Sequence, residues 1–163
     1  MTTHANPPLR PEAAAGRITA GTTVTISRTF TAAEVTQFGD LTRDYNPVHY
    51  EPRFCATKGF DAPICHGLLV GSMICEPGGQ WAWLASEMSF RFLRPVYVGD
   101  TVTCEVTVTE VDARCFARAE ATFTNQHGDK VLTGRLAGML PHGTDRQVLQ
   151  TLVDEGDPTN PLA

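Results

Sequence analysis

Ile64-Cys65-His66-Gly67-Leu68-Leu69-Val70-Gly71-Ser72-Met73-Ile74-Cys75 is apolar along most of its length. Its large apolar residues, from Ile64 to Cys75, occupy nearly every side of a helical wheel. A helix that is apolar all round is buried on all sides. A continuous apolar run also suits a buried strand, but a dozen residues favour a helix. Glu76-Pro77-Gly78-Gly79 is expected to stop it.

Something in the chain must cover such a helix, and the flanking sequence supplies a sheet. Downstream, Met88–Leu93, Thr101–Val111, Cys115–Asn125 and Lys130–Leu140 have strand length and are joined by short turns at Gly99-Asp100, Asp112–Arg114 and Gln126–Asp129. Val102, Cys104, Val106 and Val108 alternate with Thr103, Glu105, Thr107 and Thr109, the pattern of a sheet with one wet face. Long strands on tight turns predict an antiparallel meander. Upstream, Val24–Phe30 alternates as a further strand. Thr31-Ala-Ala-Glu34 is a capping-box signature, and Val35, Phe38 and Leu41 continue a helix to about Arg43. Pro47 disfavours helix at Asn46, so Asp44–Pro63 reads as loop with room for one short helix. The expected fold is α+β, an antiparallel sheet wrapped around a central apolar helix. The expected domains are a flexible arm over 1–16, one domain over 17–142, and a tail over 143–163 with a short helix near Asp145–Leu152.

The chain has 163 residues, 42% of them hydrophobic and 19% charged, as expected of one globular domain. A net charge of -5 argues against a nucleic-acid binder. No run reaches the roughly 18 apolar residues of a membrane span, and MTTHANPPLR lacks the apolar core of a secretory signal. Eleven of the 13 basic residues are Arg, a composition that suits phosphate or carboxylate but also fits a genomic habit. Five cysteines without a CxxC predict free thiols in a reducing, cytoplasmic setting, and none has zinc-site spacing with a histidine.

Asp44-Tyr45-Asn46-Pro47-Val48-His49 places a carboxylate and an imidazole five residues apart across a Pro-stiffened turn. Near neutral pH the two make a plausible acid/base pair, with Asn46-Pro47 holding the turn. Gly67 at a helix start lets a substrate approach the backbone, and the free N–H groups there suit developing negative charge. Packing is an equally good reason for Gly67. His66 reads better as an N-terminal cap than as a chemical group.

Together, Asp44, Asn46, Pro47, His49, Pro52, Phe54, Ala56, Phe60, Pro63, His66 and Gly67 resemble the signature of the MaoC-like dehydratases and (R)-specific enoyl-CoA hydratases. The resemblance runs on through Ser89–Phe92, Pro95-Val96 and Val98–Asp100 and covers about residues 18–140. It implies a hot-dog fold, usually a homodimer or a dimer of dimers. It implies that Asp44 and His49 activate one water for addition to C3 of a trans-2-enoyl thioester. The Gly67 N–H would polarise the thioester carbonyl, and Asn46 would support the loop. The only carrier is the CoA or acyl-carrier thioester itself, with no metal or redox cofactor. Cys75 stands where short bacterial hydratases of this type often have Ser, and either shapes the acyl pocket or alters a hydrogen bond to the loop. Trp81 and Trp83 either line that pocket or pack on the sheet. A hot-dog thioesterase is the first rival, weakened by the absence of Asp or Glu between Ile64 and Cys75. A non-catalytic acyl-thioester binding subunit is the second, weakened by retention of Asp44 and His49.

Overall fold

The computed structural model describes residues 9–162. Its frame is one five-stranded antiparallel sheet in the order β1-β3-β4-β5-β2, with β1 Thr23–Thr29, β2 Leu84–Phe92, β3 Thr101–Val111, β4 Phe116–Asn125 and β5 Lys130–Met139. On β3, Val102, Cys104, Val106 and Val108 are all buried, as their alternation requires. The middle strand β4 faces the core with Ala117, Ala119, Ala121 and Phe123. Three of these are small, which leaves depth for a helix against the centre of the sheet.

That helix starts later and ends later than its sequence suggests. It runs as α4 (Gly67–Gly71), a 3₁₀ turn (Ser72–Ile74) and α5 (Cys75–Gln80). Ile64 instead bridges to Tyr97, and the Cys65 N–H donates to the Val96 carbonyl at 2.7 Å. Glu76-Pro-Gly-Gly79, read as a stop, is helical. Pro77 has no N–H to donate and its ring crowds the carbonyl four residues back, at Met73. The tight turn over 72–74 lies at that carbonyl, so the helix changes pitch rather than ending.

Before it, α2 (Ala32–Thr42) opens with both halves of the capping box: Glu34 N–H donates to Thr31 Oγ1 at 3.3 Å, and Thr31 N–H to Glu34 Oε2 at 2.8 Å. Arg43 ends it in the left-handed region, φ 59°, and throws the chain sideways into the loop at Asp44. A 3₁₀ turn (Pro47–His49) and α3 (Pro52–Thr57) follow.

The N-terminal segment departs from expectation, while a C-terminal helix lies where the sequence places one. Residues 1–8 of the supposed arm lie outside the described residues, but Leu9–Ala14 form α1, with Ala13 and Ala14 in the core. Pro11 sits in the first turn, where a missing N–H breaks no helical bond. The C-terminal helix α6 spans Gly143–Asp154 and buries Leu149. The tail beyond it is tied down. Asp157 pairs with Arg10 at 3.2 Å, and the side-chain amides of Asn160 and Gln80 exchange hydrogen bonds at 2.9 and 3.1 Å.

Candidate active site

The loop after α2 is held at every polar atom of Asp44 but one. Its N–H donates to Thr42 Oγ1 at 3.4 Å, and its Oδ1 accepts the Asn46 N–H at 3.3 Å. Its carbonyl accepts from His66 Nε2 at 3.0 Å and from the Tyr50 hydroxyl at 3.2 Å. Oδ2 is left facing His49 Nε2 at 3.8 Å. Asn46 Oδ1 in turn accepts the Val48 N–H at 3.2 Å and caps the 3₁₀ turn that carries His49.

His49 has one tautomer open to it. Its Nδ1 lies 2.8 Å from the Ile64 carbonyl, which can only accept, so Nδ1 carries the proton and Nε2 bears the lone pair. The Ile64 N–H donates back to the Val48 carbonyl at 3.2 Å, which locks the two segments together. Burial pushes the His49 pKa below the ordinary value, and the stacked His66 ring adds to this. The Ile64 carbonyl and the Asp44 carboxylate oppose the shift. His49 is therefore a neutral base near pH 7. The gap of 3.8 Å is too long for a direct hydrogen bond, but one water oxygen can reach both Nε2 and Oδ2 across it.

Protonating His49 removes the base, so the acid limb of a pH–rate profile for this site lies below the ~6.5 of a free histidine. A profile of kcat/KM against pH, which reports the free enzyme, checks this. A limb at or above that value contradicts the neutral, largely buried imidazole.

His66 does not cap its helix, contrary to the sequence reading. It sits at the N-cap of α4 with no side-chain cap bond. Its ring is 1% exposed, stacks on His49 with centroids 3.8 Å apart, and spends Nε2–H on Asp44. Gly67 follows at the first helical position, where no intrahelical partner exists for its N–H. A Cβ on Gly67 would come within 2.5 Å of the Phe92 ring.

These groups meet at a cavity of about 300 Å³ whose wall includes Asp44, His49, His66 and Gly67. Phe38, Leu68, Val70, Phe92, Val131 and Leu132 give it apolar walls, and Arg94 is its cation. Of the two roles open to each, Cys75, Trp81 and Trp83 do not line this cavity, and the two tryptophans take the packing one. Cys75 is exposed, while Trp81 and Trp83 are core residues with ring centroids 6.1 Å apart. Glu76, inside the longer helix, does not line the cavity either.

The imidazoles of His49 and His66 and the Asp44 carboxylate bring ligand-type atoms within 4.8 Å of one another. They fit a metal poorly. The two imidazole rings are stacked, with centroids 3.8 Å apart and planes 28° from parallel. In-plane lone pairs of stacked rings do not converge on one ion at the ~2.0–2.1 Å zinc needs. Nor is there a thiol nucleophile beside them: burial pushes Cys65, on the cavity wall, up to about 12.

Two contributors had no sequence signal. The Ile64 carbonyl is backbone, and Tyr50 acts across the loop on Asp44 and His66. His66 was visible as a residue type, but not its partner 22 positions away.

Residues 15–131 match the family model described as a MaoC-like domain. The chain is 37% identical over 123 residues to an (R)-specific enoyl-CoA hydratase of Aeromonas caviae, covering 71% of this chain and 90% of the relative. It is 25% identical over 126 residues to a mitochondrial 3-hydroxyacyl-[acyl-carrier-protein] dehydratase of Arabidopsis thaliana, covering 71% and 74%. A solved structure of the (R)-hydratase from A. caviae involved in PHA biosynthesis superposes with a TM-score of 0.71 at 36% identity, covering 76% of this chain and 98% of the other.

Proposed function

Because the chain belongs to the MaoC-like family, on a hot-dog fold, we propose that it is an (R)-specific enoyl-CoA hydratase, adding water reversibly to trans-2-enoyl thioesters. The observation that carries the reading is the pairing of a neutral His49 Nε2 with Asp44 Oδ2 at 3.8 Å beside the free Gly67 N–H.

Water bridging Nε2 and Oδ2 gives up a proton to His49 as its oxygen attacks C3. Electron density moves through C2 to the thioester oxygen, where the Gly67 N–H receives the developing charge. The imidazolium then returns the proton to C2, so one water supplies both the oxygen and the hydrogen. Asp44 orients that water and stabilises the transient imidazolium. Dehydration is the same path reversed. The conjugated thioester is already an electrophile, so the chemistry calls for no metal or redox cofactor. Loss of the enone absorbance of crotonyl-CoA without release of thiol supports hydration, whereas thiol release without enone loss supports hydrolysis and overturns the reading.

The active form is proposed to be a homodimer built on β2. That strand is a sheet edge, and beside it Leu68, Leu84, Met88 and Phe92 are each more than half exposed. The opposite edge, β1, has Thr23, Thr25 and Thr29 exposed instead. An unpaired edge bordered by apolar side chains is the one that gains from pairing with a second copy. Light scattering at micromolar concentration is expected to give twice the chain mass, and Met88→Asp to halve it. A wild-type monomer contradicts the assignment. No helix among the described residues is long and apolar enough to cross a membrane. All five cysteines are free, in keeping with a reducing, cytoplasmic setting.

A further inference from the structure

We propose that Tyr50 is a positioning residue for the Asp44–His49 pair, holding the Asp44 peptide so that its carboxylate stays aimed at His49 Nε2. The inference rests on the hydratase reading for its meaning in catalysis, but its geometry stands apart from that reading.

Four observations converge on this side chain. Its hydroxyl donates to the Asp44 carbonyl at 3.2 Å, the same oxygen that His66 Nε2–H reaches at 3.0 Å. Its ring meets His49 edge-on, with centroids 6.1 Å apart and planes 85° apart, and meets His66 at 5.9 Å and 66°. Its hydroxyl lies where a Cβ on Gly39 would stand, so α2 has to be a glycine there for Tyr50 to seat. Partial burial and the carboxylates of Asp44 and Asp40 push its pKa up, so it stays a donor at neutral pH.

The consequence for Asp44 follows from what else restrains it. The Asp44 side chain is about half exposed and its Oδ1 has one backbone donor. The direction of its Cα–Cβ bond is set by the peptide plane, and that plane is pinned at the carbonyl by Tyr50 and His66. With the hydroxyl gone, one of two pins is lost and the carboxylate can swing from Nε2 toward solvent. A misplacement of ~1 Å at a reacting group costs up to about 10²-fold in rate. The charged and titratable groups around His49 are Asp44 on its own loop, His66 at the start of α4, Tyr50, and Arg94 on the cavity wall. Of these, Asp44 is the one whose attraction favours the imidazolium.

The test is Tyr50→Phe, which keeps the ring and deletes the hydroxyl, with Gly39→Ala as a second variant that displaces the hydroxyl without deleting it. Histidine side-chain NMR titration, made without substrate, is expected to show the His49 midpoint falling by at least ~0.3 pH unit in each variant as the carboxylate drifts away. Hydration of crotonyl-CoA is expected to lose about 10-fold or more in kcat, with KM within about twofold. The double variant is expected to be no worse than Tyr50→Phe alone, since both changes break one contact. An unshifted His49 midpoint overturns the proposal, whether activity persists or is lost along with melting temperature. Shifted midpoints in the two variants of a protein whose wild type does not hydrate crotonyl-CoA leave the positioning role standing and overturn the hydratase reading instead.

Discussion

His49→Ala and Asp44→Asn each lower kcat for hydration by about 10²–10⁴-fold, the range a positioned acid/base group contributes. The structure gives each loss a separate cause. Alanine at His49 removes the lone pair that faces Asp44 Oδ2, the base placed to take the proton. Asparagine at Asp44 keeps the shape, but its amide lacks the charge that stabilises the imidazolium. If it turns its NH₂ toward Nε2, it also blocks the lone pair that should take the proton. Neither change disturbs the sheet. The Asp44 side chain is about half exposed, whereas the His49 side chain is 9% exposed and stacked on His66, so His49→Ala is the one expected to lose some stability. Circular dichroism should stay near wild type in both, and melting temperature in Asp44→Asn, with a modest fall in His49→Ala. Because the two act on one water, the double variant should be little worse than the worse single. Near wild-type kcat in either variant would remove the pair from the chemistry.

Gly67→Pro lowers kcat by about 10²–10³-fold, the cost of deleting one oxyanion donor. The substitution is informative because the backbone accepts it. Gly67 is the first residue of α4, where proline is favoured, and His66 sits at φ -60° and ψ 131°, a conformation compatible with a following proline. The helix should therefore form while the N–H is lost. Gly67→Ala separates crowding from donation, because it keeps the N–H but brings a Cβ to 2.5 Å from Phe92. The Phe92 ring is more than half exposed and can swing aside, so alanine should be the milder change. A folded Gly67→Pro with wild-type kcat would move the oxyanion site elsewhere.

The architecture was legible wherever the signal is local. The alternation Val102–Val108 needs only the period of a strand, and Thr31 with Glu34 needs only one helical turn. Asp44 and His49 were legible because a proline-stiffened turn brings them together within six residues. The ends of the central helix were not, since Pro77-Gly78-Gly79 has the composition of a stop. In the structure a tight turn over Ser72–Ile74 carries the helix through it. The α1 helix was hidden for a similar reason: Pro11 reads as a breaker unless it falls in a first turn. Its alanines gain their value from packing at the far end of the chain, beside α6. The supporting cast of the site, from the Ile64 carbonyl to the Tyr50 hydroxyl and His66 Nε2, acts through contacts 6 to 22 residues apart. Such contacts exist only once Val48, Ile64 and Val96 have joined the two halves of the loop.

The most direct test of the account is to follow crotonyl-CoA in ¹⁸O-labelled water and determine both the position of the label and the configuration of the product. A water held between His49 Nε2 and Asp44 Oδ2 and delivered to one face of C3 should give (R)-3-hydroxybutyryl-CoA with the label on the C3 hydroxyl. Label in the carboxylate of free crotonate, with CoA released, or a product of (S) configuration, would contradict it.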